Sequence, residues 1–533
     1  MRYLLMLALA VTALTALAVA QVIEPPTTPA THPEVPEAGP ALVDPTRSDP
    51  ATQPAQQDED RGLLGQRFSS LSAGIAFRPP AGCQAIRREG VADEVVQYQD
   101  PKRRWNLKVS RITLSQPLPM VLKDDAGGRV GMLDAMTRQT LAAIPGAQLL
   151  RRDAINVGKA EVGLVAIRFT QGTQRLLRQL ALVSGGEQLY FVFNFTSPTG
   201  KAAGDEDDTV DPFEREAVEA FTAVVDSIEV LDLRPVRLDQ EQRLDRTRLF
   251  LVNATPAKIT RALVGEQWFR MVKDGKDVGW SHVFEETASR GNRDGFVVVI
   301  RSDLKVDERQ RLQSASEMFS TFDRKHEAWA HLVFSQTQAG EGGRPARDQF
   351  SEFGTSAHEI IRKLDEQEGV VDKRDPKAPP MRTIERQTLS VTQLSNTVSK
   401  DPVNRELPPF YVPQAFAHLL PRLVPLQQPK TYLFAAWSTQ AREVMLRYID
   451  VAPLRDHLWD GKRQQAVKIT DRIGLEGMPT DHYFSPEGVY LGSFNHANGV
   501  SVLPTDVTTM RRMYPGVEES RPYVLDNPPK AGG

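Results

Sequence analysis

The chain has a single cysteine, Cys83, among its 533 residues. One thiol excludes an internal disulfide framework and any zinc site built from several cysteines. An excess of one charge is also absent, because 65 basic residues face 68 acidic ones, for a net charge of −3. This balance provides no basic field of the kind that attracts nucleic acid or anionic lipid. We therefore expect no nucleic-acid partner.

Motifs for nucleotides, metals and nucleophiles are missing as well. The sequence has no P-loop and no G-x-G-x-x-G after a strand, so no cofactor is predicted. It has no G-x-S-x-G elbow, and no catalytic cysteine signature surrounds Cys83. His326 and His331 are five residues apart, so on one strand they point to opposite faces. A zinc site needs three or four convergent ligands, and no metal site is predicted.

Residues 1–20 have the pattern of a secretion signal. Arg2 supplies the positive start, an apolar run extends from Leu4 to Val19, and Ala18-Val19-Ala20 is a cleavage site of the A-x-A type. A retained membrane anchor is the alternative, although a spanning helix usually needs about 20 apolar residues. No later stretch is apolar enough to span a bilayer. We expect an exported protein, periplasmic or extracellular, without a transmembrane anchor after signal cleavage.

Two segments outside the folded part have low-complexity composition. Residues 21–61 are rich in Pro, Ala, Thr, Gln and acids and have almost no aromatic side chains. Such a composition cannot bury enough apolar surface to fold, so a disordered Pro-rich linker is predicted there. Residues 522–533 are expected to be a disordered tail.

The next segment, residues 62–233, has alternating apolar patterns separated by turn residues. These patterns predict three strands, a helix, four strands, a second helix and a final short strand. The second helix begins cleanly, because Asp211 is a plausible N-cap and Pro212 suits the first helical position. Its predicted buried stripe consists of Phe213, Ala217, Phe221 and Val224.

This order of elements resembles the PsbP-like/DcrB-like α/β sandwich. The residues that carry the resemblance are Gly74 to Phe77, followed by Pro79 to Gly82, and the closing helix that leads into Ser227 to Val230. Members of that family are generally binding or assembly factors without a shared catalytic set. The resemblance implies that this domain docks on another molecule.

Residues 234–521 form the second predicted domain, and its clearest signal is a hairpin from Glu266 to Glu286. Asp274-Gly275 is a two-residue turn of the type I′ kind, which pairs Phe269 with Trp280 and Met271 with Val278 if the ladder is regular. Side chains alternate across a strand, so one face is predicted to hold both pairs, Phe284 and His282. The opposite face is predicted to carry Trp268, Arg270, Val272, Ser281 and Val283.

Two interpretations of the aromatic face remain open. Aromatic pairs are a standard unit of sheet stabilisation, which favours ordinary core. Pockets are also lined mainly by aromatic and aliphatic groups, which allows the wall of an apolar groove. Gly279, inside the second strand, predicts a bulge or a close approach of backbone or ligand.

A second hairpin lies near the end of the chain, from His482 to Gly492. Its Pro486-Glu487-Gly488 turn predicts that Phe484 faces Tyr490 and that His482 faces Gly492. Long antiparallel strands between two such hairpins look like the curved half-barrel sheets of LolA/LolB-like envelope proteins. That resemblance implies a concave face that takes up an acyl chain or another apolar ligand.

Together these observations predict an α+β protein of two domains, each a mainly antiparallel sheet with a few packed helices. The favoured function is a non-catalytic binding or scaffold role in a bacterial cell envelope, with an envelope protein or an apolar or peptide ligand as partner. One alternative is an exported hydrolase that uses Asp481, His482 and Ser485, and another is a structural protein-interaction module. The predicted ligand-binding residues are Phe269, Gly279, Trp280, His282, His482 and Tyr490.

Overall fold

A computed structural model describes residues 62–86, 94–121, 131–186, 188–202, 211–337, 346–364, 381–396, 398–515 and 517. These residues belong to two compact units, and the chain passes from one to the other between Leu233 and Arg234. Both units consist mainly of antiparallel sheet with a few helices, as the predicted α+β class requires. The predicted signal peptide, linker and C-terminal tail lie outside the described residues.

The first unit contains a large sheet and a small one. The described strands are β1 (Phe68–Ser70), β2 (Ile75–Phe77), β3 (Gln84–Ile86), β4 (Glu94–Asp100), β5 (Trp105–Thr113), β6 (Gln148–Val157), β7 (Ala160–Gln171), β8 (Gln174–Ser184), β9 (Leu189–Ala202) and β10 (Glu229–Val230). The helices are α1 (Met132–Ala143) and α2 (Pro212–Asp226). The large sheet has the order β3-β4-β5-β9-β8-β7-β6, and the small one has the order β1-β2-β10.

Helix α2 begins as its sequence predicts. The Asp211 side chain accepts a hydrogen bond from the backbone N–H of Phe213, and Pro212 follows it at the first helical position. Ala217 and Val224 are buried against the large sheet, but Phe213 is 64% exposed, so its predicted burial is wrong. The helix instead turns Glu214 inward, where its carboxylate pairs with Arg168 at 2.6 Å. The buried stripe runs through Glu214, Ala217, Phe221 and Val224, and Phe213 lies one position around the helix from it.

The second unit is dominated by one large antiparallel sheet. The described strands are β11 (Glu266–Lys273), β12 (Lys276–Arg290), β13 (Arg293–Lys305), β14 (Gln310–Thr321), β15 (Glu327–Thr337), β16 (Ala346–Leu364), β17 (Met381–Ser395), β18 (Val398–Ser399), β19 (Val403–Glu406), β20 (Lys430–Ser438), β21 (Glu443–Val451), β22 (Arg455–Trp459), β23 (Lys462–Ile473), β24 (Thr480–Phe484), β25 (Tyr490–Asn495) and β26 (Val500–Thr505). The helices are α3 (Arg234–Asn253), α4 (Pro256–Ala262), α5 (Gln414–Leu423) and α6 (Val507–Met513).

The main path of this sheet is β18-β17-β16-β15-β14-β13-β12-β11-β26-β25-β24-β23-β21-β20. Helix α5 packs against β13, β14 and β15 and also against β20, which ends the path. Because these strands are far apart in the sheet, the sheet must curve around α5 to bring them all into contact. Backbone hydrogen bonds also join Ala435 in β20 to Phe410 and Val412, just after β19, which pairs with β17.

The sequence of α5 explains why it can lie inside the sheet. Its residues Gln414 to Pro421 are all buried, which is typical of a helix with neighbours on every side. Three polar side chains recur at four-residue spacing, Gln414, His418 and Arg422, and form one stripe along the helix. The other buried positions are mainly Ala, Leu and Phe. The helix therefore fills the face on which the LolA/LolB-like resemblance placed an apolar ligand.

The opening hairpin has the predicted turn but not the predicted register. Asp274 and Gly275 both have positive φ, of 51° and 73°, as a type I′ turn requires. Val272 pairs with Asp277, and Met271 then pairs with Gly279, so Val278 is an extra residue in the second strand. Such a β-bulge shifts every later pair by one residue. The predicted pairing of Phe269 with Trp280 is therefore wrong.

The bulge also exchanges the two faces of β12. Phe269 now pairs with Ser281, while Trp280 pairs with Arg270 and His282 with Trp268. Paired residues lie on the same side of a sheet. Phe269 faces α5 and the core, whereas Trp280 and His282 face outward with Trp268, contrary to the prediction.

Gly279 has the close backbone approach that its position in the strand predicts. A Cβ atom there would lie 2.1 Å from the carbonyl oxygen of Asp303 on β13. The second hairpin also combines a bulge with a closely approached glycine. Phe484 pairs with Tyr490 as predicted, but the bulge pairs His482 with Ser493 instead of Gly492. Gly492 has φ of 131°, and a Cβ there would lie 2.4 Å from the carbonyl oxygen of Val502.

Candidate functional site

The six predicted ligand-binding residues are divided between the two faces of the second unit's sheet. Phe269, His482 and Tyr490 line a small cavity on the inner face, beside α5. Gly279 lines a larger cleft, and Trp280 and His282 lie on the outer face. The predicted residues therefore lie at two separate sites in the structure and do not form one continuous groove.

The inner cavity has a volume of about 40 Å³. A buried water needs roughly 10–15 Å³ of such space, so the cavity is large enough for two or three waters. Ligand pockets usually measure about 300–1,000 Å³, and an acyl chain or peptide does not fit here. The cavity walls combine aromatic rings with polar groups contributed by β12, α5 and β24.

A buried ion cluster forms one wall of the inner cavity. The Nε2 atom of His418 lies 2.8 Å from Glu285 Oε1, and Arg422 donates to both carboxylate oxygens of Glu285. Glu285 also accepts the backbone N–H of Val264 at 3.0 Å. Burial alone would raise the pKa of Glu285, but the charge of Arg422 and the His418 hydrogen bond outweigh it and lower the pKa to about 2. Glu285 thus fixes the C-terminal end of α5.

The opposite wall carries His482. Burial lowers the pKa of His482 to about 4, against the smaller opposing effect of Asp471, so the ring is neutral at pH 7. Its Nδ1 atom is 3.4 Å from the hydroxyl of Tyr490, whose own pKa burial raises to about 12. Asp471 is held by Arg447, at 2.8 Å between Nε and Oδ1. His482 and Tyr490 are therefore neutral at pH 7, and Asp471 is already paired with Arg447.

A second buried carboxylate lies at the N-terminal end of α5. Glu327 on β15 accepts the hydroxyl of Tyr411 at 2.7 Å and the backbone N–H of Gln414 at 2.8 Å. Both donors are neutral, so burial dominates and raises the pKa of Glu327 to about 7. Glu352 is a third buried carboxylate, and it accepts hydrogen bonds from Trp329, Gln393 and Thr439. The inner face therefore uses its acids to hold helix and strands together.

The hydrolase candidates do not converge. Asp481 and His482 are adjacent on β24 and point to opposite faces, so Asp481 pairs outward with His496 at 3.0 Å. Ser485 lies in the turn, where its hydroxyl donates to Glu487 at 2.7 Å. Within the described ranges, no group of three or more His, Cys, Asp and Glu side chains is arranged to hold a metal ion.

The outer cleft has a volume of about 370 Å³, which is within the range of small-molecule sites. It lies where β12, β13, β14 and β15 end, beside the residue that follows α6. Its polar lining includes Asp303, Lys305, Arg309, Gln310, Arg311 and Tyr514. Sequence patterns missed these residues, because they come from the ends of β13 and β14, from the connection between them, and from a segment about 200 positions further along the chain.

An aromatic cluster borders the outer cleft. Trp268 and Met510 are buried in it, and Trp280 and Tyr514 pack against them. The rings of Trp268 and His282 are 4.1 Å apart between centroids, and His282 Nε2 lies 2.9 Å from Glu266 Oε1. Burial raises the pKa of Tyr514, with smaller contributions from Asp277 and Asp303. Trp280 thus stands next to the larger cleft, although its side chain does not line it.

No protein-family model matches this chain, and none of the curated proteins is similar to it. Among solved structures, a cyanobacterial PsbP from Synechocystis sp. PCC 6803 is 18% identical over 32% of this chain and 93% of its own, with a TM-score of 0.23. A β-barrel-like protein of a domain of unknown function, DUF1849, from Brucella abortus is 11% identical over 45% of this chain and 95% of its own, with a TM-score of 0.29.

A protein from Bacteroides thetaiotaomicron VPI-5482 is 13% identical over 43% of this chain and 88% of its own, with a TM-score of 0.20. Similarities of this size carry no argument about function. They include a PsbP protein, and they do not show the LolA/LolB-like resemblance of the second domain. None of the described helices is both long and apolar enough to cross a membrane.

Proposed function

We propose that this chain is an exported, non-catalytic binding protein of a bacterial cell envelope, and that it holds its ligand in the outer cleft of the second unit. The observation that carries the proposal is the contrast in volume between the two sites, about 370 Å³ outside and about 40 Å³ inside. Export is inferred from the N-terminal signal in residues 1–20.

A non-catalytic role follows from how the polar groups are used. The inner acids hold α5, and the outer Asp303 is bound by Arg311 through two contacts of 2.6 Å. A nucleophile with a base in hydrogen-bond reach is the usual mark of covalent catalysis, and the Asp481, His482 and Ser485 side chains do not form one. Binding is the function that this arrangement supports best.

Native mass spectrometry of the full chain, purified from its own envelope, tests the proposal. We expect a non-covalently bound small molecule whose occupancy decreases in Gln310→Ala, a cleft variant. Gln174→Ala, an exposed amide on β8 of the first unit, is the matched control and should retain the bound mass. A spectrum of the bare chain from wild-type protein, or equal loss in both variants, would contradict the proposal.

A second candidate is a protein-interaction module, and strand β6 favours it. This strand is the outermost one of its sheet, and its residues Gln148 to Ala154 are all exposed. Leu149 and Leu150 are among them, at 41% and 39% exposure. An extended segment of a partner could add to such an edge. Hydrogen–deuterium exchange with and without envelope extract would show protection of β6, and Leu150→Lys should abolish that protection.

A further inference from the structure

Strands β16 and β17 extend beyond the rest of the second unit's sheet. Strand β15 pairs with β16 only as far as Ser356, whereas β16 and β17 stay paired with each other up to Leu364 and Met381. Among the strands that the structure describes, only β17 pairs with residues 357–364 of β16. These residues, which we call the β16 overhang, therefore have one unpaired edge.

The β16 overhang is open to solvent near its base. Ala357 and Glu359 are exposed, and Ile360 is 62% exposed. An isolated two-stranded hairpin is at best marginally stable in water, and the unpaired backbone groups of a strand edge are a template for another strand. A strand added to this edge would pair the backbone of the overhang and cover Ile360.

The sequence of the overhang is complementary to itself when a second copy runs antiparallel to it. A two-fold axis perpendicular to the sheet keeps every residue on its own face, so it pairs residues that are an even number of positions apart. An axis through Ile361 places this residue opposite Ile361 of the second copy, and it places Glu359 opposite Lys363 of the second copy. The pair of opposite charges then occurs twice, once on each side of the axis.

The pairing with β17 supports the same axis. Strand β17 places Ile384 opposite Ile361 and Arg382 opposite Lys363. Like charges directly opposite each other are unfavourable in a sheet, and an acid on the other side of Lys363 offsets this. Glu359 of the second copy would be that acid, and the two isoleucines would extend to a row of four across four strands. An axis through Arg362 would instead oppose two like charges.

We propose that this chain forms a homodimer through the β16 overhang, in which two ribbons join into an antiparallel four-stranded sheet about an axis at Ile361. On the other face of this sheet, the aliphatic part of Arg362 of the second copy would cover Ile360. The overhang is short, so the interface is small and we expect a reversible dimer that dissociates on dilution. This inference concerns a sheet edge and is independent of the function proposed for the outer cleft.

Sedimentation velocity of the full chain over a range of concentrations tests the dimer, and the wild type should show a monomer–dimer equilibrium. Glu359→Lys and Lys363→Glu should each weaken it by about tenfold or more, because each turns two pairs of opposite charges into two pairs of like charges. A mixture of the two variants should restore the dimer, and so should the double variant Glu359→Lys/Lys363→Glu. Lys462→Glu, at an exposed position on β23, is the control and should dimerise as the wild type does.

Cysteine cross-linking tests the position of the axis, in a background in which Cys83→Ser removes the only native thiol. A residue on the axis faces its own copy, so Ile361→Cys should form an intermolecular disulfide on mild oxidation. Ile360→Cys is the matched control. In this register its two copies are diagonal neighbours, about 7–8 Å apart, which is beyond the usual reach of a disulfide.

Four outcomes would overturn the proposal. The first is a wild-type chain that stays monomeric at every concentration, even if envelope extract protects the overhang from hydrogen exchange, because the edge would then serve a different protein. The second is a dimer that Glu359→Lys leaves unchanged or weakens no more than Lys462→Glu does. The third is a loss of dimer in the single charge variants that neither the mixture nor the double variant restores. The fourth is equal cross-linking of the two cysteine variants.

Discussion

The inner and outer faces of the second unit's sheet use polar side chains in opposite ways. On the inner face, Glu285 and Glu327 bind the two ends of α5, and each is buried with every contact directed to the fold. On the outer face, Lys305 and Arg309 are exposed beside a cleft with room for a small molecule. The inner groups are therefore committed to stability, whereas the outer cations are available for binding.

The two ends of α5 also differ from each other. Glu285 has a cationic partner, Arg422, at the C-terminal end, where the helix dipole favours positive charge. Glu327 has neutral donors at the N-terminal end, where the dipole favours a carboxylate. The same residue type thus has a pKa of about 2 in one place and about 7 in the other.

The largest effect is expected from removing the cation at the inner face. Arg422→Ala leaves Glu285 buried without its main charged partner, which should lower the free energy of unfolding by about 3–5 kcal/mol. Urea denaturation at pH 7 measures it. The control is Arg248→Ala, which breaks an exposed pair with Asp245 on α3 and should cost less than about 1 kcal/mol. Similar losses of unfolding free energy in both variants would contradict the distinction between the buried Glu285–Arg422 pair and an exposed ion pair.

The next effect is a pH dependence of the free energy of unfolding, to which Glu327 and Glu285 contribute with opposite signs. The raised pKa of Glu327 means that the folded state holds a proton that the unfolded state releases above about pH 4.5, so the contribution of Glu327 to stability should fall as pH rises from about 4.5 to 7, an interval in which the lowered pKa of His482 acts in the opposite direction. The pKa difference corresponds to about 3 kcal/mol. Glu285 acts oppositely, and its stabilising contribution should be lost as pH falls from about 4.5 towards 2.

Urea denaturation at a series of pH values measures both slopes. The free energy of unfolding of the wild type minus that of Glu327→Gln should decrease between pH 4.5 and 7, because the amide is neutral at every pH, and the acid limb should stay intact. A difference that is constant or increases through that interval would contradict the pKa assigned to Glu327.

A smaller effect is expected on the outer face from Trp280→Ala. Because the bulge turns Trp280 outward and it is half-buried, we expect a cost of about 1–2 kcal/mol. Phe269→Ala on the inner face should cost about 3–5 kcal/mol, as large-to-small core substitutions do. Thermal unfolding of both variants tests the assignment of faces, and equal costs would support the regular register that the sequence predicted.

The smallest effect is expected from Lys305→Gln/Arg309→Gln. Exposed side chains without structural partners usually change the free energy of unfolding by no more than about 0.5 kcal/mol. A loss of stability as large as that of Arg422→Ala would show that these cations belong to the fold.

Local patterns were enough for most elements of the fold. The Asp211-Pro212 start of α2 and the Asp274-Gly275 turn appear as predicted, because capping and positive φ are properties of a few neighbouring residues. The alternation of apolar residues in strands such as β9 also depends on sequence alone. These signals required no knowledge of distant partners.

Two of the six predicted site residues were misplaced for one physical reason. A side-chain pattern with a period of two reverses when one residue is inserted, and the bulge at Val278 moved Trp280 and His282 to the outer face. Gly279 follows the bulge and lies against β13, whose Asp303 carbonyl is too close for any side chain at that position. The glycine was visible in the sequence, but the strand that approaches it was not.

What the sequence determined by itself was therefore the α+β class, the alternating strands and the local turn and cap geometry, all of which depend on interactions between near neighbours. Only the folded structure shows that α5 occupies the inside of the sheet and that the ends of four strands, together with Tyr514, enclose a cleft. It also decided the charge of the buried acids. Glu285 and Glu327 are chemically identical, and they differ only because the folded chain places Arg422 beside one and neutral donors beside the other.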